Sequence, residues 1–295
     1  MKTIAVFTKN RTNPAYEAAR LGADRAARGL GAQTRHYVPD RPDDIQEQVA
    51  LIDAALEQGP DAIVLVPVHP TAVNGAIRKI VDTGIPLIGY LNRFTESGPI
   101  THIGSDDYLL ALKIAIHLCE HLERRGEVAL VEGPPESVTS NDRVRGFRDA
   151  LARFPQMRIA TSVCGEYQRD AAKRVSAELL GSDISFDAVL AANDVMALGM
   201  IDALDEVGRR SVVVGVNAVP EAIAAIKKGK LLATSDFNAM NMAAVATEAA
   251  VRHLRGETLP RRITLPVQIV NAKNCDRWDK PFEERALARW EDVVK

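Results

Sequence analysis

The sequence predicts an α/β fold built from parallel sheets with helices on both faces, arranged as two similar halves. Short apolar runs alternate with stretches of helical period from residue 4 to about residue 255, the signature of successive strand and helix units. Runs such as 188–192, A-V-L-A-A, lack polar alternate positions, as expected of strands covered on both faces. The alternation pauses at the polar, turn-rich segment 91–99 and then resumes, dividing the chain into two series. Right-handed crossovers then follow from the handedness of strand and helix.

In the first series, strand 4–8 leads through a polar loop into a helix from 14 to about 30. Pro14 suits its first turn, where a missing N–H costs nothing, and Gly31 suits its stop. Strand 34–38 precedes a helix from 43 to about 58, strand 62–66 one from 71 to about 83, and strand 86–90 closes the series. The second begins with the run 100–103 and Gly104-Ser105-Asp106-Asp107. Helix 108–124, strand 128–132, helix 140–153, strand 158–164 and helix 169–180 follow. Strand 188–192, a helix from 194 to about 204, strand 211–216, helix 220–228, the short run 232–235 and helix 239–255 complete it. No close internal repeat exists at residue level, so any duplication is architectural.

The stretch 187–204 organises the rest, because its period changes at Asn193-Asp194, a polar pair between a buried strand and a helix. In an open parallel sheet that is the carboxyl edge, where ligands bind. Asp194 is expected to be the helix N-cap, leaving the amide of Asn193 available.

Composition narrows the function. The chain has 295 residues, 46% hydrophobic, with 37 basic against 39 acidic side chains and a net charge of −2, so electrostatics offers no case for nucleic acid or an anionic membrane. Three widely spaced cysteines and six scattered histidines lack metal-ligand spacing, and neither metal nor cofactor is expected. No nucleophile elbow, dinucleotide fingerprint or paired acid and base occurs, so the chain is expected not to be an enzyme. Gly133-Pro134-Pro135 lacks the phosphate-loop pattern, and Ser105-Asp106-Asp107 is accounted for by a hinge followed by a cap. The strand-like start leaves no room for a signal peptide or a helix-turn-helix before Ile4, which suggests a cytoplasmic protein or a processed form.

Seven motifs in order then carry a resemblance: T-N-P-A-Y at 12–16, I-P-L-I-G-Y-L-N-R at 85–93, H-I-G-S-D-D at 102–107, N-D-R-V-R-G-F at 141–147, A-N-D-V-M-A-L-G at 192–199, V-V-G-V-N at 213–217 and K-G-K-L-L-A-T at 228–234. From about residue 3 to 270 the chain resembles the type I periplasmic binding proteins, and among them the ribose-binding-like sugar receptors of ABC importers. Lactose-repressor-like effector domains share this fold. The resemblance implies two doubly wound lobes joined by a three-crossing hinge that closes on ligand. The first lobe would be 1–103 plus 236–265 and the second 104–235 plus 266–295, with the tail lying over the second. It also implies a periplasmic, monomeric receptor that presents a small carbohydrate to the membrane subunits of an importer. A regulator's effector domain and an enzyme on the same fold are the competing readings.

Sugars require amides or carboxylates for vicinal hydroxyls, guanidinium forks and aromatic faces. The resemblance assigns such roles to Asn13, to Tyr16 and Tyr167 as opposed aromatic walls, to Arg93 after Asn92, and to Arg143, Asn193 and Asn217, with Thr8 contributing. Asp236 and Phe237 lie at the crossing near 235–236, where the family places a polar contact. Relatives that bind neutral pentoses carry Asp where this chain has Asn92 and Asn217. Arg93 and Arg143 would then lack counter-charges unless Asp236 or Glu166 turned inward, and an anionic sugar acid would supply one. On the same argument Arg143→Ala is expected to abolish binding with little loss of stability.

Overall fold

The computed structural model describes residues 1–294; Lys295, the last residue of the expected second lobe, lies outside them. The chain forms two compact units: Met1–Ser105 with Asn238–Pro266 and residues 282–294, and Asp106–Phe237 with Val267–Pro281.

The first unit contains β1 (Lys2–Phe7), α1 (Pro14–Gly29), β2 (Ala32–Tyr37), α2 (Ile45–Glu57), β3 (Ala62–Leu65), α3 (Asn74–Asp82), β4 (Leu87–Tyr90) and β5 (Thr101–Gly104). The second contains α4 (Asp107–His121), β6 (Arg125–Glu132), α5 (Val138–Leu151), β7 (Gln156–Cys164), α6 (Arg169–Leu180), β8 (Ala188–Ala191), α7 (Asp194–Glu206), β9 (Val212–Val216), α8 (Pro220–Lys227) and β10 (Ala233–Asp236). Helix α9 (Ala239–Leu254) and β11 (Arg262–Thr264) return to the first unit, and β12 (Gln268–Asn271) to the second.

The first sheet runs β11-β5-β4-β3-β1-β2 with every pairing parallel. The second runs β12-β10-β9-β8-β6-β7. All its pairings are parallel except that of β12, which lies antiparallel on β10 with Asp236 opposite Gln268. Strand order reverses beside β1 in one sheet and beside β6 in the other, and in open parallel sheets ligands bind at such switch points, on the carboxyl edge.

The cores follow from the pattern. Strands β3 and β8 are buried at every position, and each buried Ile or Leu side chain contributes roughly 1.5–3 kcal/mol. In the first unit α1 meets α9 so closely that a Cβ at Gly22 would lie 2.2 Å from the Met240 carbonyl oxygen. Helix boundaries move from their expected places where the backbone turns left-handed. Asp43, at φ 57°, stands outside α2, which is capped instead by Asp44, and Glu123 and Arg124, at φ 54° and 65°, stop α4 early.

The unit boundaries also differ from expectation. The chain passes between units after Ser105, Phe237 and Pro266, and a fourth time after Pro281. Asp236 and Phe237 stay with the second unit because β10 completes its ladder against β12. The tail lies with the second unit only as far as Pro281. Residues 282–294 join the first, where Arg25 Nη1 donates to the carbonyls of Phe282 and Arg285 at 3.2 and 2.7 Å. There too the Arg252 guanidinium lies 4.7 Å from the Trp290 ring centre.

Candidate functional site

In the first unit the residues expected at the ligand lie on loops and in the first turn of α1. Asn13 caps α1, its Oδ1 accepting the Ala15 N–H at 3.0 Å, while its own N–H donates to Asn10 Oδ1 at 3.0 Å. Tyr16 is buried in the first turn of that helix. The fully buried Thr8 hydroxyl accepts from Arg20 Nη1 at 3.0 Å, and burial holds the Arg20 pKa below its ordinary value. No motif or spacing in the sequence distinguishes Arg20 from the other cations of α1. The buried Gln48 was equally silent: its amide bonds both Val66 O and Val68 N–H at 2.9 Å and so clasps the loop after β3. Asn92 donates to Pro67 O at 2.9 Å. Arg93 is exposed and lines a recess of ≈ 270 Å³ with Phe94, His102, Arg261 and Arg262. Burial lowers the His102 pKa, and Arg262 and Arg93 push it in the same direction.

The second unit gathers the rest. Arg143 is 3% exposed on α5. Its Nε donates to Asp107 Oδ1 at 2.9 Å, its Nη1 to the Ala192 carbonyl at 2.5 Å, and its guanidinium carbon lies 4.8 Å from the Phe237 ring centre. The expectation of an unpaired guanidinium is therefore wrong for Arg143. Asp106 takes the cap of α4, accepting the Leu109 N–H at 2.9 Å, which leaves the carboxylate of Asp107 to pair with the arginine. Arg145 turns to Asp142 at 2.8 Å and lies over Tyr108.

The cap at α7 is the reverse of the one expected. Asn193, 1% exposed, caps the helix by accepting the Met196 N–H at 2.9 Å. Asp194 is wholly buried instead. Its Oδ2 accepts the Val219 N–H at 3.0 Å and its Oδ1 the Thr234 hydroxyl at 2.6 Å. Desolvation raises its pKa to about 6. Residue 215 must be glycine for this to fit, since a Cβ there would stand 2.3 Å from Asp194 Oδ1.

Asn217 follows β9 with φ 130°, and its Oδ1 is buried without a hydrogen-bond partner. Tyr167, at φ 57°, lays its ring against Gly133, where a Cβ would fall 2.4 Å from Cζ. Glu166 is exposed. Asp236 Oδ2 accepts the Trp278 indole N–H at 2.9 Å, and Phe237 is buried under Arg143. Trp278 could be seen in sequence only as an aromatic in an unassigned tail. Tyr167, Asn217 and Phe237 in loops, Asn193 at a helix cap, Asp236 at the end of β10 and Arg143 in the second turn of α5 thus lie on one unit. The carboxyl edge of such a sheet is the place where a small polar ligand finds amides, a guanidinium and aromatic surface together.

Among the described residues no group of three His, Cys, Asp or Glu side chains converges as metal ligands would, and no helix is long and apolar enough to cross a membrane. The three cysteines are free, and burial pushes the Cys119 thiol up to about 11.

Comparison with known proteins agrees with this layout. A ribose import binding protein of Bacillus subtilis is 26% identical over 272 residues, covering 92% of this chain and 88% of the relative. A xylitol-binding protein of Mycolicibacterium smegmatis is 26% identical, covering 83% and 70%. A periplasmic solute-binding protein of Actinobacillus succinogenes, solved with bound D-allose, superposes with a TM-score of 0.89 at 25% identity over 94% of this chain and 99% of that one. A Caulobacter myo-inositol binding protein, solved with myo-inositol, does so at 0.84 with 27% identity over 94% and 95%. Residues 4–258 match the family model described as the periplasmic binding protein domain, and the chain belongs to that family.

Proposed function

We propose that this chain is a solute-binding protein that captures a small carbohydrate and delivers it to an ABC importer, acting outside the cytoplasmic membrane, as a monomer and without covalent chemistry. One observation carries the reading: the Asn217 Oδ1 is a buried acceptor with no donor, in a loop at the ligand-binding edge of its sheet. Such an orphan costs free energy until a hydroxyl donates to it. Arg143, Asn193 and Tyr167 on the same edge, and Asn13, Tyr16, Asn92 and Arg93 on the edge of the other sheet, are the remaining candidate contacts. Each is of the type that binds vicinal hydroxyls or covers a sugar face. The similarity to binding proteins for ribose, xylitol, D-allose and myo-inositol supports a sugar or polyol as ligand.

The paired state of Arg143 bears on ligand charge. With Asp107 already opposite it, Arg143 needs no anion for balance, and Arg93 is exposed to solvent rather than desolvated, so a neutral sugar or polyol is favoured over a sugar acid. Calorimetric titration with D-ribose, D-allose, xylitol, myo-inositol and D-gluconate tests both statements. A neutral compound from this set is expected to bind with micromolar or tighter affinity, and Asn217→Ala is expected to weaken it about tenfold. Binding of D-gluconate alone would reverse the charge argument, and an Asn217→Ala protein that binds like the parent would remove Asn217 from the site.

A further inference from the structure

Asp194 is a wholly buried carboxylate that the ligand reading above does not use. It lies where three pieces of the second unit meet. It begins α7 directly after the cap Asn193, accepts the Thr234 hydroxyl from β10, and accepts the Val219 N–H from the loop between β9 and α8. Thr234 Oγ1 in turn accepts the Ala218 N–H at 3.2 Å. The loop it holds is strained at two successive positions, as the chain also is at Glu123-Arg124 and Glu166-Tyr167. Asn217 and Ala218 have φ of 130° and 54°, values that L-residues adopt at a cost, and neither is glycine. Two successive residues stay in such a conformation only when the surroundings fix them. The fixing groups here are Asp194 and Thr234 on the N–H groups of Ala218 and Val219, and Ser235 O on the N–H of Asn217 at 2.9 Å.

We propose that Asp194 is a positioning residue for the ligand site: it makes no ligand contact, but its ionised carboxylate holds the 217–219 loop in the strained form that aims Asn217, so that its protonation weakens binding. The proposal rests on the reading of Asn217 as a ligand contact. A proton on Oδ1 makes that atom donate to Thr234 Oγ1 instead of accepting from it, and a proton on Oδ2 makes that atom a poorer acceptor for the Val219 N–H. The hydroxyl then loses its anionic acceptor and becomes a poorer acceptor for the Ala218 N–H, since hydrogen bonds in a chain strengthen one another. The ionised side chain acting on Asp194 is Arg143 from α5, itself paired with Asp107 from α4. From β9, β10 and the loop come Gly215, Thr234 and backbone amides, none of which titrates. Desolvation places the carboxyl's titration near pH 6, within reach of ordinary solution conditions.

The test uses two readouts. In ¹⁵N-labelled protein without ligand, the amide protons of Ala218 and Val219 should shift with a midpoint near pH 6, and Asp194→Asn should abolish that titration. Calorimetry with D-allose and myo-inositol as probes should find binding about tenfold weaker at pH 5 than at pH 7.5. Asp194→Asn mimics the protonated carboxyl in shape and charge. It should bind at both pH values as the parent does at pH 5, while circular dichroism shows it folded. Loop amides that do not move, or an Asp194→Asn protein with parental affinity and pH profile, would overturn the proposal. Titrating amides in a protein where Asn217→Ala leaves affinity unchanged would instead uphold the Asp194 coupling to the loop while removing the loop from the ligand site.

Discussion

The Arg143 guanidinium and the Asp107 carboxylate form a nearly solvent-free ion pair at 2.9 Å, their side chains 3% and 12% exposed. Asp107 is the first residue of α4 and Arg143 lies on α5, so the pair ties two helices together and neutralises the most buried arginine among the candidate contacts.

That pairing changes what Arg143→Ala should do. Removing one member of a buried pair strands the other, at a cost of about 3–5 kcal/mol. The variant is expected to lose stability in urea denaturation as well as sugar binding. Arg143→Lys should keep the charge but not the fork, giving partial stability and weak binding. Full retention of stability in Arg143→Ala would mean that Asp107 is solvated or otherwise paired.

Asn193 carries two roles that substitution can separate. Asn193→Ser preserves a side-chain oxygen for the Met196 N–H, whereas Asn193→Ala removes it and should cost about 1 kcal/mol. Both delete the amide N–H₂, so both should weaken sugar binding in calorimetry. If Asn193→Ser bound sugar as the parent does, the residue would be a cap alone.

The buried Asp194 makes a signed prediction for stability. Its folded pKa, about 6, lies above that of an exposed aspartate, 3.8, so the ionised form is the disfavoured one in the folded protein. The resulting penalty is complete above pH 6, falls as the pH drops toward 3.8, and is gone below it. Its full size is on the order of 3 kcal/mol. Asp194→Asn, neutral throughout, should therefore be more stable than the parent at pH 7.5 and lose that advantage by about pH 4. Urea midpoints of the two proteins across this range provide the measurement, and a constant difference would exclude the linkage.

The Trp278 indole N–H donates to Asp236, a hydrogen bond that Trp278→Phe would delete while keeping most of the ring. The half-buried carboxylate then loses a donor, a change worth about 1–2 kcal/mol in thermal or urea unfolding. Lys227 pairs with Asp279 in the same segment, so Lys227→Met serves as a control that loosens the segment without touching Asp236. Asp236 is a candidate ligand contact, and Trp278→Phe should weaken sugar binding more than the control does. Equal effects from both would assign Trp278 a packing role.

Much of this was legible in the sequence because it is local. Strand and helix order follows from apolar period and from punctuation by Pro14, Gly31 and the polar loops. The motifs 192–199 and 213–217 placed Asn193 and Asn217 directly after their strands, where the structure also has them, while Arg143 of the motif 141–147 lies in the second turn of α5. The antiparallel β12 was not legible, since its four residues, Q-I-V-N, acquire strand character only by pairing with β10. The partition of the tail was hidden for a similar reason, because Arg25, Asn241 and Arg252 hold residues 282–294 through contacts far apart in the chain.

By itself, then, the sequence determined the α/β class, the doubled architecture and the edge on which the polar side chains gather, for these depend on residues a few positions apart. The tertiary structure alone decided what each charge does there. Either Asn193 or Asp194 could cap α7 by local geometry. Asp194 is drawn inward because Thr234 and the Val219 amide, distant in sequence, meet it where Gly215 leaves space. Arg143 likewise acquires its counter-charge from Asp107 only when α4 and α5 pack together, and burial of both side chains then holds the pair out of solvent.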